Sequence, residues 1–381
     1  GTFKIQRNGK KNVYDYNRRI PFNRRLFKEG IIPVCLLRMN NFLENFQKKL
    51  VKDKVSVGLD IGTSAVKVVK CKFLKESIEL CGYAVEPTQV DLVPVLKKLS
   101  QSHLISKVNA SVSGPGVLIR YINFPKMQKQ ELQQALKFEA QKHIPFAVSE
   151  VTLDAHILKD DLPDNKMMIL LAAVKKDFLS QRLKMFEDAG IRVNLVDVDG
   201  LAVMNSFMYN YSEELAGKQK AVALLHIGTA ISSLNILEDG IPRLSRDVHV
   251  AGNHFTQKLA DTIGVDFKTA EEIKAKPGPE HASKAVIAFE AVLTSLTREI
   301  RMSFDYYESQ NASTVGKIYV SGAGSTIAGF KDSLSGLLGI EVEYWDPLRK
   351  ILLAGDIDAQ KIKDVSSQLA VAVGLALRSS L

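Results

Sequence analysis

The sequence predicts a two-lobed α/β protein. The phrase VGLDIGTSAVKVVK, at residues 57–70, and the phrase LLHIGTAISSLNI, at residues 224–236, each describe a strand, an Ile-Gly-Thr turn and a second strand. Each phrase opens a stretch of chain with the same plan, and 381 residues are more than one ordinary core accommodates. The repeat therefore predicts two similar lobes, each beginning with a β-hairpin.

A small α+β unit is predicted between the two hairpins, over residues 115–190. Its predicted elements are a strand after the Gly-Pro-Gly break at residues 114–116, a helix over 129–143 that ends before Pro145, a buried strand over 166–174 and a helix over 176–190. After the second hairpin, residues 253–309 have a mostly helical pattern, and a strand returns at Lys317.

The positive charge of the chain is concentrated at its beginning. The formal net charge is +9, and residues 1–38 contain ten Lys and Arg against Asp15 and Glu29, a surplus of eight. The rest of the chain is nearly neutral, which argues against nucleic-acid binding by the folded body. Because the first methionine is Met39, we expect the natural start there; the alternative is a basic arm for nucleic acid or membrane. Residues 39–54 are predicted to form an N-terminal helix that packs on the core.

Targeting and redox signals are weak. The apolar run at residues 167–174 is far shorter than the ~20 residues that span a bilayer, so no transmembrane segment is expected. Cys35, Cys71 and Cys81 have neither the spacing of a zinc site nor that of a disulfide framework. A reducing, cytoplasmic location is therefore expected.

The first hairpin has the composition of a phosphate-binding turn. Gly62 allows a positive φ at no steric cost, while Thr63 and Ser64 add hydroxyl groups beside exposed backbone N–H donors. Asp60, two residues earlier, is positioned to hold a hydrated Mg²⁺ near the phosphates. Lys67 is either a phosphate ligand or a solvated strand residue. The chain has no GxxxxGK[ST] motif, so a P-loop is excluded.

The second hairpin repeats this turn with Gly228 and Thr229. One such hairpin would be read as an ordinary turn. Two of them, each opening one half of the chain, predict a pair of facing turns that clamp a polyphosphate from both sides.

Two later segments suit the other end of a nucleotide. Glu271 and Lys274 lie three residues apart on one helical face, where they either bracket ribose hydroxyls or form an exposed ion pair. Residues 318–330 predict a strand, a Gly-x-Gly-Ser turn and a helix. There Gly322, Gly324 and Ser325 either approach an adenine or form an ordinary strand-to-helix turn.

The order of these parts resembles the actin-like ATPase superfamily. Within it the chain is most similar to the PilM family of type IV pilus assembly proteins, in the branch that includes FtsA. The closer resemblance lies in RYINFPKMQKQELQQALKFEAQKHIPF at residues 120–146, DVDGLAVMN at 197–205 and AVAVGLALRSS at 370–380. It implies an α/β, ribonuclease H-like fold with four subdomains around a nucleotide cleft that binds ATP and Mg²⁺.

The resemblance also implies a division of the chain. The implied subdomains are 1A over residues 55–114 and 191–220, the inserted 1C over 115–190, 2A over 221–252 and 316–381, and 2B over 253–315. Gly252, in the segment AGNHFTQKLA, joins the residues implied to bind ATP.

The implied partner is the N-terminal cytoplasmic peptide of the inner-membrane protein PilN. The family binds it in a groove between the first subdomain and the insert. Phe124, Ile144 and Phe146 are candidate groove residues, with a place in the core as the alternative. The implied role is that of a scaffold at the cytoplasmic face of the inner membrane, with other pilus assembly proteins as further partners and self-association as an option.

Three positions depart from the family pattern. His226 replaces the acid of the second hairpin, and Ala251 and Ala323 each replace one glycine of a pair. A neutral histidine lacks the charge that positions water or metal, so we expect nucleotide binding without fast hydrolysis. His226 is either a strand histidine satisfied by a neighbour or a new catalytic base.

Three other functions stay open at this point. A small-molecule kinase of the same fold requires an acceptor pocket and an intact metal site, which the His226 substitution disfavours. An FtsA-like membrane filament requires a basic amphipathic helix at the end of the chain, where residues 366–381 instead predict a buried helix of small residues. A secretion-system homologue without nucleotide binding would ordinarily carry a transmembrane segment.

Overall fold

The computed structural model describes residues 54–102, 105, 107–215 and 220–378, which form three β-sheets with helices packed against them. The predicted basic extension and the predicted N-terminal helix lie outside the described residues, except for Lys54, which begins the first strand. Within the described part of the chain, no helix has the length and apolar character needed to cross a membrane.

The secondary structure follows the predicted order. The strands are β1 (Lys54–Ile61), β2 (Ala65–Phe73), β3 (Ile78–Pro87), β4 (Lys107–Val112), β5 (Val117–Pro125), β6 (Val151–Leu162), β7 (Lys166–Lys175), β8 (Arg192–Val198), β9 (Ala221–Ile227), β10 (Ser232–Glu238), β11 (Ile241–Val248), β12 (Val315–Ser321), β13 (Glu341–Tyr344) and β14 (Ile351–Leu353). The helices are α1 (Val93–Gln101), α2 (Lys129–Glu139), α3 (Lys176–Asp188), α4 (Asp199–Asn210), α5 (Gly252–Ile263), α6 (Phe267–Ala275), α7 (Ala282–Gln310), α8 (Phe330–Leu338), α9 (Ala359–Val365) and α10 (Ala370–Leu377).

The first lobe is built on a six-stranded sheet in the order β14-β3-β2-β1-β4-β8. β1 and β2 form the predicted hairpin, in an antiparallel register that sets Asp60 opposite Lys67. Both faces of the sheet are covered. In β2, Val68 packs with α1 and α3 on one face, while Val69 packs with α10 on the other. Burial on two faces explains the nearly continuous apolar sequence of these strands.

The second lobe repeats the plan with a five-stranded sheet in the order β11-β10-β9-β12-β13. β9 and β10 form the second predicted hairpin, and β12 lies parallel to β9 on its other side. Phe255 of α5 and Phe289 of α7 pack edge to face in the core of this lobe. The predicted helical stretch after the second hairpin is therefore confirmed as α5, α6 and α7.

The insert is a three-stranded antiparallel sheet in the order β5-β7-β6, covered by α2. The strand predicted over residues 166–174 is the central strand β7, where Met167, Ile169 and Leu171 contribute to the core of the insert. The helix predicted over 129–143 is α2 followed by a short turn of 3₁₀-helix over Ala140–Lys142.

Three elements lie away from the subdomain in which the predicted division places them. β14 pairs with β3, and α10 packs against β1, so both belong to the sheet of the first lobe and not to the second. Phe186 of α3 joins the core of the first lobe, although residues 115–190 were predicted as the insert. These contacts join distant parts of the chain, which local sequence patterns do not reveal. α10 itself is confirmed as a helix whose eight residues are all buried.

Within the residues that the structure describes, the chain passes between the two large sheets twice, and side chains of the two crossings contact each other. One crossing follows α4, and the other leads from β13 to β14. The Tyr211 hydroxyl accepts a hydrogen bond from Asp346 N at 3.0 Å, and the Arg349 guanidinium lies 4.5 Å from the Tyr211 ring centroid. Trp345, which opens the second crossing, packs edge to face on Phe207 of α4 with ring centroids 5.2 Å apart.

Candidate functional site

The turns of the two hairpins meet. The first turn connects β1 to β2, and the second connects β9 to β10, so they come from different sheets. Ser64 Oγ and Thr229 Oγ1 lie 2.7 Å apart, within hydrogen-bond distance. Residues 165 positions apart are thus brought together as the repeat predicts. A phosphate chain held between the two turns would take the place of this contact.

The first turn needs its glycine for space. Gly62 N donates a hydrogen bond to Ala65 O at 3.0 Å, and Thr63 and Ser64 are exposed. Gly62 does not use the positive φ that glycine allows, because this residue lies outside the left-handed region. An added Cβ would instead lie 2.8 Å from Lys67 Nζ and 3.1 Å from Ala65 O. Glycine at this position therefore makes room for an ammonium group directly beneath the turn.

That ammonium group is paired with Asp60. Lys67 Nζ lies 2.9 Å from Asp60 Oδ2, and the two side chains are only 11% and 5% exposed. Lys67 is thus a largely buried partner of the acid, so the alternative of a solvated strand residue is wrong, and its contact with phosphate stays a prediction. The pair places one negative and one positive group under the turn that is predicted to receive phosphate.

The second turn is held by the start of α5. Gly252 N donates to Gly228 O at 3.0 Å, and Asn253 N donates to Thr229 O at 2.8 Å. These two bonds satisfy amides that a helix N-terminus leaves without intrahelical partners. They also hold the second turn against the N-terminus of α5, where Gly252, a predicted ATP-binding residue, begins the helix.

The Gly-x-Gly-Ser turn after β12 packs on the same place. An added Cβ at Gly324 would lie 2.8 Å from Gly228 O, and one at Gly322, where φ is +94°, would lie 2.3 Å from Ile227 O. Ser325 is buried and its Oγ donates to Gly322 O at 2.7 Å. Both glycines are therefore required for packing against the second hairpin. An adenine contact by this turn stays a prediction.

Glu271 and Lys274 form the ion pair that the sequence allowed. Lys274 Nζ lies 2.8 Å from Glu271 Oε2 and 2.7 Å from Thr256 Oγ1. Lys274 is mostly buried, whereas Glu271 is half exposed. Lys274 Nζ also reaches Gly252 O at 3.4 Å, so the pair stands beside the second turn. Their contact with ribose stays a prediction.

His226 is satisfied by a neighbour. Its Nδ1 lies 3.0 Å from Ser321 Oγ on the adjacent strand β12. Burial, and secondarily the charge of Lys67, lower the pKa of His226 to about 4, with Asp60 opposing the change. The imidazole is therefore neutral at pH 7 and supplies no fixed charge. Ala251 and Ala323 are the other two positions that depart from the family pattern. Ala251 is buried at the start of α5, and Ala323 is exposed.

Asp199 was missed by the sequence analysis. It is the first residue of α4, and burial followed by the charge of Asp60 raises its pKa to about 6. The neighbouring hydroxyls of Ser111 and Ser113 oppose this rise, and Asp247 adds to it. Asp199 lies in DVDGLAVMN, one of the segments that carry the resemblance to the family. The sequence feature that could have identified it is an acidic residue directly at the junction between a strand and a helix.

Replacing Asp199 with Asn is expected to stabilise the protein at neutral pH. The carboxyl pKa is 3.8 in the unfolded chain and about 6 in the folded one. The folded state therefore bears an electrostatic penalty that is full above pH 6 and disappears below pH 4. Its removal should add about 2 kcal/mol to the free energy of unfolding near pH 8 and little near pH 4. Urea denaturation at both pH values measures this.

The control for this prediction is Asp188→Asn, at the exposed end of α3. It should change the free energy of unfolding by less than about 0.5 kcal/mol at either pH. An Asp199→Asn protein that is less stable than the parent near pH 8 would contradict the prediction.

The candidate groove residues lie mostly in the core of the insert. Phe124 and Ile144 are buried, as the alternative predicted. Phe146 is half-buried, and Lys175 Nζ stands 4.8 Å from its ring centroid. The exposed aromatic residue of this segment is Phe138 on α2, which is 80% exposed.

Comparison with known proteins agrees with this architecture. The family model described as type IV pilus assembly protein PilM matches residues 58–380. A solved structure of a PilM–PilN type IV pilus biogenesis complex is similar at 26% identity and a TM-score of 0.75, over 85% of this chain and 98% of that chain. The ethanolamine utilization protein EutJ from Carboxydothermus hydrogenoformans is similar in fold, at 14% identity and a TM-score of 0.51, over 89% of this chain and 95% of that chain.

These matches confirm the predicted actin-like α/β fold. The family model covers most of the chain, including both hairpins, the insert and α10. The chain therefore belongs to the family of the type IV pilus assembly protein PilM.

Proposed function

We propose that this chain is a nucleotide-binding scaffold of type IV pilus assembly that binds the N-terminal cytoplasmic peptide of PilN. Family membership supports the role in pilus assembly, and the similar chain at 26% identity was solved as a PilM–PilN complex. Such a scaffold acts at the cytoplasmic face of the inner membrane through its partners, which include other pilus assembly proteins. The groove for the peptide lies between the first lobe and the insert.

The nucleotide part of the proposal depends on the meeting of the two turns. Ser64 and Thr229 bring hydroxyl groups from two lobes to one point, and each stands in a turn with a glycine. Backbone N–H groups and hydroxyls in such turns bind phosphate oxygens. ATP bound there would contact both lobes at once, and differential affinity for the closed arrangement would bias lobe closure.

The remaining predicted residues surround this point. Gly252, Glu271 and Lys274 lie on the side of the second turn, where they suit the ribose. Gly322, Gly324 and Ser325 pack on the same turn, and their backbone suits the adenine.

Carboxylates beneath the first turn suit Mg²⁺ held through water. Asp60 and Asp199 interact electrostatically: burial first, and the charge of Asp60 second, raise the pKa of Asp199, and a cation bound nearby would offset the contribution of Asp60. Among residues 54–378 that the structure describes, no three acidic, His or Cys side chains are placed to ligate one ion together. A Mg²⁺ that keeps most of its waters and is held mainly by phosphates requires no such cage. When bound, it would neutralise phosphate charge.

Fast hydrolysis is not part of the proposed function. Catalysis of phosphoryl transfer needs a group that orients the attacking water near the metal site. His226 is neutral and engaged with Ser321 at 3.0 Å, so it offers no fixed charge at the second hairpin. ATP thus acts in this proposal as a ligand that orders the two lobes.

Calorimetric titration of the full chain with Mg-ATP, and separately with a synthetic PilN N-terminal peptide, tests the proposal. We expect saturable binding of both ligands and slow phosphate release. Thr229→Asp puts a carboxylate where phosphate should bind, and it should weaken ATP binding at least tenfold, about 1.4 kcal/mol, while leaving peptide binding in the absence of ATP unchanged.

The matched control is Thr294→Asp, on the exposed side of α7. It introduces the same charge in the same lobe away from the turns and should leave both affinities unchanged. Absence of peptide binding would refute the scaffold function, whereas equal ATP affinity in the Thr229→Asp and parent proteins would refute the nucleotide site.

A further inference from the structure

β11 has one face in the core of the second lobe and the other against the insert. Leu244 and Val248 point into the core. Arg243, Ser245 and Asp247 alternate with them, and side chains two residues apart in a strand share a face. β11 is therefore a strand of the second lobe whose other face is available to the insert.

Each of these three residues meets the insert or its entry. Asp247 Oδ2 accepts a hydrogen bond from Gly114 N at 3.3 Å. Ser245 stands beside the hydroxyl of Tyr121 on β5. Arg243 Nη1 lies 3.3 Å from Met168 Sδ on β7. The contacts run along the whole strand, so a shift of β11 would act on the insert at several points.

The contact made by Asp247 falls on the junction through which the insert joins the first lobe. Gly114, with φ at +97°, lies between β4 and β5, and its carbonyl accepts from Val117 N at 2.9 Å. Lys175, where the chain leaves the insert, donates its N–H to Gly116 O at 2.9 Å. The segments where the chain enters and leaves the insert are therefore hydrogen-bonded to each other. Asp247, from the second lobe, is hydrogen-bonded to the entering segment at Gly114.

The same junction lies close to the acidic groups of the candidate nucleotide site. The ring of Phe178 on α3 packs against Gly116, and its Cγ would lie 3.3 Å from a Cβ added at that glycine. The Arg182 guanidinium lies 6.0 Å from that ring's centroid and interacts electrostatically with Asp199 and Asp60. Packing at Phe178 and the electrostatic interaction of Arg182 therefore link the base of the insert to Asp199 and Asp60.

β11 is connected to the second turn as well. It pairs with β10 so that Ser233 lies opposite Asp247, and the neighbouring Ser232 lies opposite Ile227, just before the turn at Gly228. A ligand that moves the second turn relative to the first moves β10 and β11 with it, because paired strands of one sheet shift as a unit.

We propose that Asp247 is a positioning residue which, through its hydrogen bond to Gly114, transmits lobe closure at the nucleotide site to the insert and thereby changes the affinity of the insert for its peptide partner. This inference rests on the proposed function, and it adds the residue and the contact that carry the regulation. It requires that ATP and peptide affinities depend on each other, and that the dependence be reciprocal.

The test compares peptide affinity with and without saturating Mg-ATP in the full chain, using the synthetic PilN peptide as the probe. In the parent protein the two peptide Kd values should differ by about fivefold or more. In Asp247→Ala they should agree within about twofold, while each ligand still binds on its own. In Asp247→Asn, which retains an oxygen acceptor for Gly114 N without the charge, the parent difference should persist.

A matched control lies on the same strand. Arg246 points away from the insert, where its Nη2 lies 2.8 Å from Glu299 Oε2 of α7, so Arg246→Ala should keep the parent coupling. Hydrogen exchange gives a second readout on the parent chain, since the amides around Gly114 should change protection when Mg-ATP is added.

Failures of the two ideas are distinguishable. If the parent protein fails to bind ATP or the peptide, the proposed function fails. If it binds both ligands but ATP leaves the peptide Kd and the exchange near Gly114 unchanged, the coupling through Asp247 is refuted. Equal coupling in the parent and Asp247→Ala proteins, or loss of coupling in Asp247→Asn or in Arg246→Ala, also refutes the assigned role of this hydrogen bond.

Discussion

Replacing Gly374 with Ala is expected to destabilise the folded protein by about 3 kcal/mol or more. Gly374 lies in α10, where an added Cβ would be 1.8 Å from Ala202 O and 2.5 Å from the carbonyl carbon of the same residue on α4. Both are backbone atoms of a buried helix, so no side-chain rotation relieves the overlap. The two helices would have to separate, which would open the core of the first lobe.

Thermal or urea unfolding followed by circular dichroism measures this effect. Gly336→Ala is the matched control, because Gly336 lies in α8 with no atom within 4 Å of its Cβ position. That substitution should stabilise the protein by about 0.5–1 kcal/mol, the helix preference of alanine over glycine. Equal stability of the two variants would show that α10 and α4 are not packed as closely as described.

Removing Arg378 is expected to reduce the free energy of unfolding by about 3–5 kcal/mol at neutral pH. Arg378 Nε lies 2.9 Å from Asp197 Oδ2, and Asp197 is fully buried in β8. Burial raises the pKa of Asp197 above 3.8, and the charge of Arg378 opposes this rise. Without the arginine, a buried carboxylate would be left with no countercharge, which is far less favourable than either the pair or an apolar replacement.

The pH dependence of Arg378→Ala has a definite sign. The folded-state pKa of Asp197 should rise further in this variant. As the pH falls, its carboxyl is therefore protonated at a higher pH in the folded protein than in the unfolded chain. The loss of stability should therefore be greatest at alkaline pH and shrink as the pH falls towards 3.8.

Two controls separate the charge from other effects. Lys142→Ala breaks an exposed pair with Glu139 and should change stability by less than about 0.5 kcal/mol. The double variant Arg378→Met with Asp197→Leu should recover most of the lost stability, because it leaves no unpaired charge. A double variant no more stable than Arg378→Ala would indicate that packing, and not charge, accounts for the loss.

The sequence could predict the features that repeat or alternate along the chain. The two Ile-Gly-Thr phrases predicted two hairpins, and the structure brings Ser64 and Thr229 to 2.7 Å. The run of small apolar residues near the end predicted a buried helix, and α10 is buried throughout. The order of motifs led to the PilM family, which the family model confirms.

The features that the sequence could not predict depend on contacts between distant segments. β14 joins the first sheet by pairing with β3, more than 260 residues earlier in the chain. The residue type of Gly62 suggests freedom to adopt a positive φ, whereas glycine is required there by the position of the Lys67 ammonium group. Asp199 gains its raised pKa from burial and from Asp60, neither of which is visible in the nine residues around it.

Trp345 is packed where its intrinsic fluorescence can serve as a probe of the contact between the lobes. Trp345 is the single tryptophan of the sequence, and it lies where the chain passes from the second sheet to the first, edge-on to Phe207. Its indole also stands 5.9 Å from the ring of Tyr211 at the other crossing. The emission of an indole depends on the groups around it, and here those groups belong to the joint between the lobes. We therefore expect rotation at that joint to change the tryptophan emission, so that fluorescence of the unlabelled protein would follow it in real time.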